Sequence, residues 1–123
     1  MNTVYAQNAY TDTMVATTAN PLDLIIQLYD GAISRLNKAT FCINQGRTTE
    51  KIQYITRAIA IIEELLASLN LEAGGEVAAN LQDLYAHMLH QLTIANANND
   101  AARVKQVEAL LKELRSAWKE IRQ

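Results

Sequence analysis

Residues 21–46, PLDLIIQLYDGAISRLNKATFCINQG, decide the fold of this chain. Within them Leu22, Ile25, Tyr29, Ala32, Leu36, Ala39 and Ile43 recur at alternating spacings of three and four. That spacing places them on one core-facing seam of a long amphipathic helix. Asn20 is a favoured N-cap, Pro21 is preorganised for the first helical position, and Asp23 sits near the positive end of the helix dipole. Gly46 can take the left-handed conformation that closes a helix, so the stretch reads as a helix ending near Gln45. Leu24 and Leu28 fall to one side of the seam at about 100° of rotation per residue. A bundle helix with apolar residues off its seam needs a second partner for that face. Gly31, in mid-helix, costs about 1 kcal/mol relative to alanine, and is read as a place where another helix comes close, either within the bundle or from a partner.

Working outward, the same period returns three times. A second helix begins near Thr48 or Thr49, with a predicted seam of Ile52, Ile55, Ile59, Ile62, Leu66 and Leu69, and with Tyr54, Ile61 and Leu65 to the side. Asn70 to Gly75 form a break, and Gly74-Gly75 is the strongest turn signal in the chain. A third helix runs from about Glu76 to Asn96, burying Val77, Leu81, Leu84, Met88, Leu92 and Ala95. Asn99 or Asp100 caps a fourth, whose seam is Val104, Val107, Leu111, Leu114, Trp118 and Ile121. Helices of roughly 20 residues are about 30 Å long, and short connectors force them to lie antiparallel. The expectation is an all-α, up-down-up-down four-helix bundle over residues 20–123. Residues 1–19 form a separate N-terminal segment, mobile or docked, with Val4, Tyr5, Tyr10, Met14 and Val15 as candidate anchors.

Composition narrows the function. The chain has 123 residues, enough for one domain with its own core, and half of them are hydrophobic, yet no stretch is long enough to cross a membrane. Net charge is -2 with both signs interspersed, so neither the basic stripe of a nucleic-acid binder nor a polybasic lipid anchor is present. Cys42 is the single cysteine, and no basic-then-apolar leader opens the chain, which together point to a reducing, cytoplasmic setting.

No catalytic constellation emerges. Asp83, His87 and His90 could meet a metal on one helical face, but one helix seldom supplies a complete site, and the Glu-x-x-His pairs of di-iron bundles are absent. Gly74-Gly75 lacks the Lys and Ser/Thr of a phosphate loop, and Cys42 reads as a small apolar filler. No cofactor, metal or catalytic residue is assigned.

Specific residues, beyond the period, resemble a known family. Asn20-Pro21-x-x-Leu24-Ile25-x-x-Leu28-Tyr29-Asp30-Gly31-Ala32 is similar to the start of helix one in the flagellar export chaperone family, FliS. So are Gly74-Gly75-Glu76, Asn80-Leu81-x-x-Leu84-Tyr85-x-x-Met88, Ala95-Asn96-x-x-Asn99-Asp100 and Leu114-Arg115-x-Ala117-Trp118-Lys119, in the expected order and over nearly the whole chain. The resemblance implies a cytoplasmic chaperone that binds the C-terminal segment of new flagellin, prevents premature filament assembly and delivers the subunit to the flagellar type III export gate. It implies a client wrapped around the bundle in apolar grooves. It also implies an N-terminal tyrosine motif that covers part of the client surface and can be displaced. Val4-Tyr5-Ala6-Gln7 looks like that motif, and Ala9-Tyr10 offers a second register.

On this reading the candidate partner contacts are Tyr5, Tyr10, Leu24, Leu28 and Tyr29, with Tyr29 also on the core seam. Leu24 and Leu28 are equally suited to being covered by the docked N-terminal segment. Empty grooves of this kind can also pair two copies into a homodimer. Two rival readings are a metal-binding bundle using Asp83, His87 and His90, and a regulator that sequesters another flagellar protein.

Overall fold

Each long helix stops where a residue can leave the right-handed region. The computed structural model describes residues 3–11 and 21–122. It has a short α1 (Thr3–Gln7) and four long helices, α2 (Pro21–Asn44), α3 (Thr48–Ala67), α4 (Leu71–Asn98) and α5 (Ala101–Arg122). Gly46, at φ 69°, turns the chain after α2. Asn99, at φ 53°, closes α4 in the left-handed conformation with its N–H on the Ala95 carbonyl. Asp100 then caps α5: its carboxylate accepts from the Arg103 backbone N–H at 3.0 Å, a bond that holds its pKa below the ordinary aspartate value. The expected cap Asn20 and the anchors Met14 and Val15 lie outside the described residues.

The long helices pack in a ring, each on its chain neighbours and α5 back on α2, which is the expected helical bundle. Their core is continuous and includes Leu36, Ile55, Ile62, Leu65, Leu81, Met88, Leu92, Leu111 and Trp118. At the far end of the bundle the buried Lys51 ammonium donates to the Asn96 carbonyl (2.8 Å) and to its side-chain oxygen (3.0 Å), tying the start of α3 to the last turn of α4. The seams of α2 and α5 are as expected.

Two expectations need correction. The buried row of α3 is Lys51, Ile55, Ala58, Ile62 and Leu65, not the Ile52–Ile59–Leu66 row. Both rows share Ile55 and Ile62, and side-chain bulk alone favoured the wrong one. The packed row holds the small Ala58 and the helix-capping Lys51, which leaves Ile59 and Leu66 half-buried and Ile52 45% exposed. Gly31 is the second. A Cβ there would meet Ile61 Cδ1 and Arg35 Nη1 at 3.4 Å each, which are ordinary contacts. Among the described residues, no helix of the bundle comes close enough to require glycine at that position, which corrects the within-bundle half of that expectation.

Candidate partner-binding site

Where α2 and α4 begin and α3 and α5 end, the N-terminal segment is docked on the bundle. Small residues make this possible. Ala6 and Ala9 are fully buried, and Ala9 lies against Gly74 as Tyr5 does against Gly75. A Cβ on Gly74 would stand 2.8 Å from Ala9 Cα, so backbone here touches backbone. Gly75 takes φ 54°, ψ -135°, a conformation open to glycine, and breaks α4 after its first turn. A Cβ on Gly75 would meet the Tyr5 ring at 2.8 Å, so Tyr5 lies across that glycine while staying 43% exposed. Asn70 caps this short turn by accepting from the Ala73 N–H at 3.0 Å.

Beyond α1 the segment runs extended beside the α3–α4 connector. The Thr11 N–H donates to the Ser68 carbonyl (2.9 Å) and the Asn70 N–H to the Ala9 carbonyl (2.7 Å), which makes a one-pair antiparallel bridge of Tyr10 and Leu69. That register aims Tyr10 into the bundle, where it is 5% exposed. Its ring packs on Trp118 at 5.6 Å between centroids, tilted by 53°. Its hydroxyl is hydrogen-bonded to that of Tyr85, which is bonded in turn to the Tyr29 hydroxyl. Burial raises the pKa of all three phenols above the ordinary tyrosine value, and for Tyr10 and Tyr85 the neighbouring phenols add to the rise. The Trp118 indole N–H lies near the Tyr29 hydroxyl but is buried without a hydrogen bond of good geometry.

The five residues singled out from sequence therefore have different settings. Tyr10 and Tyr29 join one buried cluster, and Tyr29 is fully covered. Tyr5 lies on the outside of the docked segment. Leu24 and Leu28 are half-buried; by helical spacing they share a stripe with Gly31, which faces Ile61. Sequence reasoning missed Tyr85 as a member of the cluster and read Gly74-Gly75 as a turn alone. A pair of alanines three apart, Ala6 and Ala9, opposite a Gly-Gly pair was the available signal for close backbone packing.

Further apolar surface lies outside this cluster. Ile52 and Ile59 line a shallow groove of about 310 Å³ between α3 and α4 with Thr93, Asn96 and Ala97, and Phe41 is 55% exposed beside the Arg47 guanidinium. Asp83, His87 and His90 are exposed, and among the described residues no three metal-ligating side chains gather. No described helix is long and apolar enough to cross a membrane. What the arrangement offers chemically is binding surface.

Comparison with known proteins gives a consistent result. The family model described as "Flagellar protein FliS" matches residues 1–123. The flagellar secretion chaperone FliS of Salmonella typhimurium is 43% identical over 105 residues, covering 85% of this chain and 78% of that protein. The corresponding protein of Campylobacter jejuni is 34% identical over 116 residues, covering 94% and 90%. A solved bacterial flagellar chaperone superposes with a TM-score of 0.77 at 19% identity over 84% of each chain, a likeness of fold.

Proposed function

Since the chain belongs to the FliS family of flagellar secretion chaperones, we propose that it binds the C-terminal segment of flagellin in the cytoplasm, blocks its premature polymerisation and escorts it to the export gate. No chemical step is involved. The observation that carries this reading is the docked N-terminal segment. Residues 3–11 are held on the bundle end by a pair of backbone hydrogen bonds, two alanines and one inserted tyrosine. They cover a cluster bordered by the half-buried Leu24, Leu28 and Leu66, which no described residue seals completely.

Flagellin's terminal segments are amphipathic, and their apolar faces drive assembly when left free. A chaperone buries such a face against its own. The α3 row of Ile52, Ile59 and Leu66 spans about 21 Å at the helical rise, long enough for four turns of a client helix in a groove. The Leu24–Leu28–Gly31 stripe offers a second line, beside Ile61 and Arg35. The N-terminal segment is then a competing ligand held in cis, so the client's apparent affinity is reduced by the fraction of chains in which the segment is docked.

Calorimetry of the purified chain with a flagellin C-terminal peptide is the test. A one-to-one complex with a large negative heat-capacity change is expected from apolar burial. No heat at any temperature, or a heat-capacity change near zero, sinks the proposal.

A further inference from the structure

At the opposite end of the bundle from the docked segment, the α2–α3 hairpin carries a pocket of different chemistry. It measures about 420 Å³ and is walled by Phe41 of α2 and Tyr54 of α3. The Lys38 ammonium stands 5.8 Å from the centre of the Tyr54 ring, and the Arg47 guanidinium carbon 5.7 Å from that of Phe41. These are cation–π distances, and a cation seated on a ring face keeps N–H donors directed at water. Among the described residues neither cation has a carboxylate within ion-pair distance, although Glu50 lines the same pocket. The groove between α2 and α5 differs, since it holds Arg115 on Asp30 and Lys112 on Glu108. A 55% exposed phenylalanine flanked by two uncommitted cations is complementary to an apolar side chain carried between carboxylates.

Spacing and separation sharpen the match. Lys38 and Phe41 lie three residues apart on α2, close to one helical turn or about 5 Å along the axis. Carboxylates at positions i and i+4 of a partner helix share that spacing. The Leu24–Leu28–Gly31 stripe of α2 stops short of the pocket at Arg35, whose Nη1 donates to the Gly31 carbonyl at 3.1 Å. Charge therefore interrupts the apolar line before the pocket begins.

We infer that this pocket is a second docking site, taking an acidic helical segment of a partner protein other than the client. An aliphatic side chain of that segment lies on Phe41, and its paired glutamates face Lys38 and Arg47. The pocket stays open while a client lies on the apolar stripes, so a loaded chaperone is recognised without giving up its cargo. That role rests on the chaperone reading above; the preference for an acidic segment does not.

Fluorescence anisotropy of the full-length chain with a dye-labelled Leu/Glu helical peptide, its glutamates paired four residues apart, is the test. The same peptide with Gln for every Glu is the comparison. At low ionic strength the Glu peptide should bind about tenfold more tightly, as two partly exposed charge pairs allow, and added salt should erase the gap. Lys38→Gln and Arg47→Gln should each weaken the Glu peptide about threefold and leave the Gln peptide unchanged. Glu50→Gln should tighten the Glu peptide, and Phe41→Ser should weaken both. The control Lys105→Gln, which removes an exposed lysine of α5, should change neither. Equal affinity of the two peptides, or a Lys105→Gln effect as large as that of Lys38→Gln, overturns the inference. Displacement of the bound probe by the flagellin C-terminal peptide gives the pocket to the client and overturns it too. So does self-association of the chain that Phe41→Ser abolishes, which gives the pocket to a second copy. A flagellin peptide that fails to bind at all removes the chaperone reading and leaves the comparison of the two probes intact.

Discussion

Replacing Gly74 by alanine should release the N-terminal segment while leaving the four-helix core folded. The added Cβ would stand 2.6 Å from Ala78 Cβ and 2.8 Å from Ala9 Cα. Neither atom is the free end of a flexible side chain, so at least one backbone must move by about 1 Å to restore a carbon–carbon separation near 3.5–4.0 Å. If Ala9 moves, the segment lifts off. If the turn at residues 71–74 moves instead, it carries Asn70 away from the Ala9 carbonyl, and the segment again loses a bond. Overpacking of this kind costs about 1–3 kcal/mol, a fall of roughly 5- to 150-fold in the ratio of docked to undocked chains. Hydrogen exchange at two amides reads this directly, because Thr11 N–H and Asn70 N–H are the donors of the bridge. Both should lose protection by that factor, while amides in the middle of α4, such as Met88, keep theirs. The flagellin peptide should bind more tightly by up to the same factor. Unchanged protection at Thr11 and Asn70 would refute the close-packing argument. Equal loss throughout α4 would show that Gly74 serves the bundle and not the segment.

Three further outcomes are expected. Gly31→Ala should raise stability by about 0.5–1 kcal/mol in urea unfolding, since the new methyl meets ordinary contacts and helix propensity improves; a loss would mean the neighbouring Ile61 cannot accommodate it. Thr40→Val removes a buried hydroxyl that has no hydrogen-bond partner, and should stabilise by about 1 kcal/mol, a gain that a lowered thermal midpoint would contradict. The tyrosine cluster sets an alkaline limit. The folded state holds its phenol protons to higher pH than the unfolded chain does, so stability is complete below about pH 10 and falls as pH rises beyond it. With all three phenols contributing, the slope approaches about 4 kcal/mol per pH unit; denaturant midpoints that stay level from pH 10 to 11 would contradict this.

Much of the molecule was legible in one dimension because helical period is a local property. Ile25 to Ala39 and Val104 to Trp118 mark the centres of their buried faces, although Ile26, Ile33 and Cys42 widen the face of α2 beyond the seam, and Gly46, Asn99 and Asp100 act where their backbone preferences predict. On α3 two apolar rows share Ile55 and Ile62, and nothing local distinguishes the row that packs from the row that stays open. The choice depended on Lys51 reaching the end of α4 and on how closely Ala58 lets the helices approach. The row that does not pack leaves Ile59 and Leu66 half-buried and Ile52 exposed.

By itself the sequence determined four amphipathic helices, their order and their antiparallel connection, because each follows from the spacing of apolar residues and from turn residues a few positions apart. It also determined that the chain carries more apolar surface than one core consumes. Tertiary structure alone decided which surface is left over, and that Tyr10 is the tyrosine driven into the bundle while Tyr5 lies on its rim. Tyr10, Tyr29, Tyr85 and Trp118 are spread over more than a hundred positions. Only the folded backbone brings their polar tips together, with the two glycines of α4 supplying the room.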